Sequence, residues 1–181
     1  MKFTLACTLI FISSLIKGQT FDFPRNNHGS IEYYHFISID SASGSDKKLN
    51  AFNLYNSIKE APYLTGNKNY FDESSGNFTK MTGFILYENA LINNKPAGVV
   101  LGNCKVVVLD SGFQVFISGL KYSDLVRDRY ANYSPPGSKF FPLESIMNHH
   151  SGKKWELKYR EIDKKISDFI SNADSILNAK K

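Results

Sequence analysis

The sequence predicts an α+β domain in the order β-α-β-β-β(-β)-α, with an antiparallel sheet and a long C-terminal helix packed across one face. Three observations carry that expectation. Apolar residues alternate from Ile31 to Ile39, Gly76 and Asp110-Ser111-Gly112 punctuate β-prone runs, and one apolar stripe recurs at helical spacing from Trp155 to Leu177. A helical stripe of that width must cover something apolar, and one face of the sheet is the only large candidate.

The first strand places Ile31, Tyr33, His35, Ile37 and Ile39 on one side and Glu32, Ser38 and Asp40 on the other. Ser41 to Ser45 is small and polar; Ser45 is suited to cap a helix and Asp46 to sit in its first turn. Leu49, Phe52, Leu54, Tyr55 and Ile58 then form a stripe. Pro62 ends that helix, and Gly66-Asn67 belongs to a loop. Asn69 to Glu73 and Phe78 to Glu88 read as a hairpin reversing at Gly76. Val99 to Leu109 and Phe113 to Leu120 pair around Asp110-Ser111-Gly112, whose glycine can take positive φ.

Lys121 to His150 contains Tyr122, Tyr130, Tyr133, Pro135-Pro136-Gly137 and Phe140-Phe141-Pro142 without a sustained period. It is a functional loop, an extra edge strand with turns, or a mobile linker. From Lys153, Trp155, Tyr159, Ile162, Ile166, Phe169, Ala173 and Ile176 recur every three or four residues, widened by Ile170 and Leu177. Lys158, Glu161, Lys164, Lys165, Asp168 and Asn172 take the solvated face. The spacing also permits a coiled coil, but over only about three heptads.

The chain divides into a signal peptide at 1–19, an irregular lead-in at 20–30 and one domain at 31–178. Met1-Lys2, the uncharged apolar run Phe3 to Ile16, and Lys17 read as a secretory signal cut near Gly18 or Gln19. The run is shorter than the roughly 20 residues of a spanning helix. The expectation is an exported protein, periplasmic or extracellular, with no integral membrane segment in the mature chain. Of the 22 basic residues two, Lys2 and Lys17, fall in the signal and none of the 17 acids does, so the mature formal charge is +3 rather than +5. The surplus sits in Lys153-Lys154, Lys164-Lys165 and Lys180-Lys181, a solvated-face pattern without the concentrated patch that nucleic acid requires. Cys7 lies inside the signal, leaving Cys104, which alternates with Val106 and Val108 and reads as a buried hydrophobe.

A search for chemistry returns little. His28, His35, His149, His150 and Cys104 lack the spacing of a metal site. G-x-S-x-G is absent, no glycine-rich loop opens a helix to cradle phosphate, and no cofactor is indicated. Asp72-Glu73 and Glu161 with Asp163 read as solvated structural charge, and Asn77-Phe78-Thr79 and Asn132-Tyr133-Ser134 as coincidental glycosylation sequences. His35 shares the inward face of the first strand and Cys104 that of a later one, which defines a thiol or hydrolytic dyad as an alternative. Tyr130, Tyr133, Phe140 and Phe141 are rigid rings that either cap an open end of the sheet or contact a ligand or partner.

The opening strand and helix with Leu54-Tyr55, the Asp72-Glu73-Ser74-Ser75-Gly76 hairpin followed by Gly83, the Asp110-Ser111-Gly112 hairpin and the closing Glu161-Ile162-Asp163-Lys164-Lys165-Ile166 helix together resemble a family. It consists of secreted proteins of Bacteroidota-type bacteria carrying a domain of unknown function with a TBP-like fold. The resemblance implies a curved, helix-grip-like sheet held by a terminal helix, and no established activity. The fold name carries no DNA binding with it.

Three functions follow as expectations: a secreted, non-catalytic binding or accessory domain for a small apolar ligand or a protein partner; a thiol or hydrolytic enzyme using His35 and Cys104; and an envelope structural protein that self-associates through the terminal helix or an exposed strand edge. For the first, Tyr130, Tyr133, Phe140, Phe141 and His35 are the candidate contacts.

Overall fold

The computed structural model describes residues 21–39, 46–59, 63, 69–88 and 94–179. The expected signal peptide, Ser45, Pro62 and Gly66-Asn67 lie outside the described residues. In chain order the elements are β1 (Glu32–Ser38), α1 (Lys47–Ser57), β2 (Tyr70–Phe71), β3 (Phe78–Glu88), β4 (Lys95–Leu109), β5 (Gly112–Asp124), β6 (Val126–Arg127), β7 (Tyr133–Ser134), a 3-10 turn (Pro136–Ser138), β8 (Phe141–Pro142), α2 (Leu143–His149) and α3 (Lys153–Leu177).

The antiparallel sheet runs β1-β5-β4-β3-β2, and β8 pairs with β5 at Lys121 and Tyr122, past the stretch that β1 covers. Helices α1 and α3 pack on one face over Ile37, Cys104, Val106, Val115 and Ile117, all buried. The two hairpins reverse where expected, at Gly76 with φ 79° and at Asp110-Ser111. Gly112 is obligatory there, because a Cβ would stand 1.9 Å from the Ile37 carbonyl oxygen.

Helix α3 buries Tyr159, Ile162, Ile166, Ala173 and Leu177. From Tyr159 to Leu177 is five turns at about 3.6 residues each, the period of a straight helix. A 3.5-residue seam would have kept Ile176 inward, whereas it is half-buried and Leu177 is the fully buried one. Each fully buried aliphatic side chain contributes about 1.5–3 kcal/mol, so docking of α3 is a large part of the stability.

Helix α1 departs from the expected reading. Its cap is Asp46, whose carboxylate accepts from the Leu49 amide at 3.1 Å. The buried positions are Asn50, Ala51 and Leu54, while Phe52 is exposed and meets Phe71 edge-on. Asn50 earns its burial by donating through Nδ2 to the carbonyls of Leu177 at 2.9 Å and Ala179 at 3.1 Å, capping α3 from outside.

Strand β5 continues to Asp124, past the expected end at Leu120. Gly119, at φ 62°, and Leu120 together oppose Gly102 of β4, forming a bulge that shifts the alternation by one residue. Inward positions therefore read Phe113, Val115, Ile117 and then Leu120 and Tyr122. The segment 121–150 resolves as an extra edge strand with turns and a short helix, the second of the three readings left open. On the face away from the helices, Val99, Leu101 and Leu125 form a smaller cluster covered by Met81, Ile85, Tyr133 and Phe140.

The lead-in has little regular structure, yet it belongs to the core. Phe23 is buried against Tyr33 and Tyr159, Arg25 bridges Ile31, and the Glu32 amide donates to the Pro24 carbonyl at 3.0 Å. Ordered packing thus begins before Ile31. No helix among the described residues is long and apolar enough to cross a membrane.

Candidate functional site

The extension of β5 beyond its bulge brings Tyr122 and Asp124 beneath the first turns of α3. Tyr122 donates its hydroxyl hydrogen to Asp124 at 2.5 Å, and the Lys158 ammonium donates to the Tyr122 oxygen at 2.8 Å and to Asp124 at 3.2 Å. Lys158 was expected on the solvated face. Its side chain is only 20% exposed, because the stem lies along apolar surface and the ammonium rests 4.5 Å over the Trp155 ring. The other partners of Trp155 are His150, stacked at 4.5 Å, and Tyr122 and Tyr159, each within 6 Å. The Tyr159 hydroxyl holds this arrangement by donating to the His150 carbonyl at 3.0 Å.

Burial pushes the Tyr122 hydroxyl well above the ordinary tyrosine range, and the adjoining Asp124 carboxylate pushes it further. For Asp124, burial works to raise the carboxyl, but the Tyr122 hydrogen bond and the charge of Lys158 outweigh it and hold the group below the usual carboxylate range. At neutral pH Tyr122 is therefore the phenol and Asp124 the carboxylate, and with Lys158 they form a hydrogen-bonded triad.

Two open recesses meet at this triad. The smaller, about 500 Å³, is bordered by Tyr122, Asp124, Phe141, Ile146, His150 and Trp155. The larger, about 1090 Å³, runs from Asp124 and Lys158 across Leu125 and Val126 to Tyr87 and Leu157. Between the sheet and the helices lie the side chains of the main core.

The aromatic candidates divide by place. Phe141, on β8, is 52% exposed and borders the smaller recess. Tyr133, on β7, and Phe140 lie over the second apolar cluster, and Tyr133 also borders the larger recess. Tyr130 projects from the β6–β7 turn at 69% exposure, with the Arg129 guanidinium 4.7 Å from its ring. His35 is brought to neither recess; its Nε2 lies 3.4 Å from Asp174 near the far end of α3.

The alternative pair His35 and Cys104 is not assembled. His35 faces Val115 and Cys104 faces Ile117 from opposite sides of β5, so the two are two strands and two residues apart, about 12 Å by sheet geometry. Cys104 is fully buried, and burial pushes its thiol up to about 12. Among the described residues no three histidine, cysteine or acidic side chains cluster as a metal site would require.

No family model matches the sequence, and no curated protein matches it. Solved structures do. A TBP-like protein from Parabacteroides distasonis aligns with a TM-score of 0.59 and 13% identity over 87% of this chain and 98% of that one. A DUF4468 family protein from Bacteroides ovatus aligns with a TM-score of 0.49 and 10% identity over 88% and 94%. The first likeness shows the TBP-like fold that the sequence resemblance implied, and at that identity it shows the fold alone.

Proposed function

We propose that this chain is an exported, non-catalytic binding module that takes its ligand or partner at the end of the molecule where α3 begins. The observation that carries the reading is the meeting of two open recesses across the Tyr122–Asp124–Lys158 triad, with Phe141, Leu157 and Tyr87 left half-exposed around a rigid floor. Burial of Cys104 and its separation from His35 support the non-catalytic part, and the charged start and apolar run at 1–19 support export.

Trp155 is the single tryptophan and borders the smaller recess with the Lys158 ammonium over its ring, so its fluorescence reports occupancy there. Titration with a library of small apolar and aromatic fragments, mapped by amide shifts, should perturb Trp155, Phe141 and Leu157 together. Binding confined to another surface would sink the site. Turnover of generic ester, peptide or glycoside substrates that disappears in Asp124→Asn would sink the non-catalytic reading.

A second reading rests on β1, an outer strand of the sheet. Between the Glu32 amide and Ile39, no backbone bond closes its outer edge among the described residues, and Tyr34 and Phe36 are 54% and 40% exposed beside it. Self-association through this edge should appear in light scattering across a concentration series and vanish in Tyr34→Lys. A monomer at every concentration rules it out.

A further inference from the structure

Deepening the reading above and resting on it, we propose that the larger recess receives an acidic peptide segment of a partner protein, anchored by apolar side chains with carboxylates beside them. Three exposed apolar groups border the recess, and cations line it with them. Val126, 55% exposed, precedes Arg127; Leu157, 60% exposed, precedes Lys158; and Tyr87, 42% exposed, lies 5.4 Å under the Lys165 ammonium. Lys95 and Lys154 complete the rim.

Three acids also border the recess, and each is engaged by the protein itself. Asp124 is held by Tyr122 and Lys158, Glu161 accepts from the Tyr87 amide at 3.0 Å, and Glu88 lies 4.0 Å from Lys154. The last pair is 77% and 68% exposed, so solvent leaves it weak and Lys154 open to another partner. Among the described residues Lys95 and Arg127 form no ion pair; Glu88 stands opposite Lys95 across the β3–β4 ladder, and Asp128 follows Arg127. Four cations, Lys95, Arg127, Lys154 and Lys158, line the recess against three carboxylates, a surplus of one positive charge interleaved with apolar surface, and the complementary occupant carries carboxylates interleaved with apolar anchors.

The extent of the recess suits a chain segment. At about 1090 Å³ it lies at the upper end of small-ligand sites and is open to solvent. Its apolar groups come from three elements, β3, β6 and α3, and a segment crossing them can set successive side chains into successive places. The concave floor at Leu86 and Leu125 disfavours a flat bilayer, for which projecting apolar groups are needed.

The test is selection of random peptides of about twelve residues displayed on phage against the folded protein, followed by titration of dye-labelled consensus peptides read by fluorescence anisotropy. The expected result is enrichment of Asp and Glu next to Phe, Trp or Leu, with affinity falling about tenfold or more in the double variant Lys95→Glu, Arg127→Glu and on raising salt from about 50 to about 300 mM. Both positions are exposed, and circular dichroism confirms that the variant folds. Selected peptides without acidic enrichment, affinity that survives the double variant, or binding to vesicles of phosphatidylglycerol and phosphatidylcholine in place of peptides would overturn the proposal. Neutral peptides whose binding is lost in Leu157→Ser would overturn this inference and leave the binding reading intact; no binder at any surface would overturn both.

Discussion

Asn50 offers the sharpest test of how the sheet and helices are held together, because one buried side chain of α1 satisfies two carbonyls at the end of α3. Replacing it with alanine removes two hydrogen bonds, each with a net value of about 1 kcal/mol, and leaves the Leu177 carbonyl without its partner. The expected loss is about 2 kcal/mol, or about 4–8 °C in Tm for a domain of this size. Asn50→Asp is nearly isosteric but sets a carboxylate against two carbonyl oxygens and the negative end of the helix dipole, so at neutral pH it should cost about twice as much. There the introduced carboxyl titrates above the unfolded value of about 3.9. Its penalty is complete above the folded pKa and fades as pH falls through it, because the protonated group becomes a donor again. Urea unfolding followed by far-ultraviolet circular dichroism at pH 7 and at pH 4 measures all three proteins. If Asn50→Ala lies within about 0.5 kcal/mol of the parent, or Asn50→Asp is no worse than alanine at pH 7, the external cap contributes nothing and the argument is wrong.

Three further outcomes are expected. Cys104, with its thiol raised to about 12 by burial, should resist a disulfide reagent at pH 8 in the folded protein and react fully in denaturant; rapid native labelling would mean that β4 opens readily. Of the ten tyrosines, Tyr33 is held protonated by burial and its bond to Asp163, and Tyr122 by burial and Asp124. Their raised folded pKa values make this contribution complete below the unfolded value of about 10 and progressively lost above it. Tyrosinate absorbance should therefore rise in two stages, the later one coinciding with unfolding, and a single stage before unfolding would contradict it. Phe23→Ala should cost about 3–5 kcal/mol, since the ring is buried against Tyr33 and Tyr159; a loss below about 1 kcal/mol would return the lead-in to the periphery.

Much of the fold was legible because its elements obey one period each. The alternation in β1 and the stripe of α3 identified buried faces directly, and Gly76 and Asp110-Ser111-Gly112 marked reversals that only a few backbone conformations can make. Helix α1 was legible as a helix but not in its facing. Its buried face includes a polar residue, Asn50, whose value depends on carbonyls more than a hundred residues away, while Phe52 finds its contact at the rim on Phe71. Local pattern cannot carry that information, since burial of an amide is favourable only once its partners arrive. The lead-in escaped for a related reason: Phe21 and Phe23 lack a periodic run, and their place is set by Tyr33 and Tyr159 after the sheet and α3 have met.

The candidate site failed to appear in the sequence at three residues on two elements, and all three fall at the same place in space. Tyr122 and Asp124 fell in the stretch left open as loop, edge strand or linker, because the bulge at Gly119 breaks the alternation of β5, and Lys158 was assigned to water because charge at helical spacing ordinarily faces it. The bulge turns Tyr122 inward and carries Asp124 to the rim, and the apolar shelf of Trp155 lets the Lys158 stem lie down and bring its ammonium to them. Each departure from pattern costs local regularity and is retained only because the other supplies its partner: without Lys158, Asp124 loses its cation, and without the bulge, Lys158 has nothing to reach. The two recesses lie on either side of that pair, so the part of the chain that pattern reading explains least is the part around which the proposed binding surface is built.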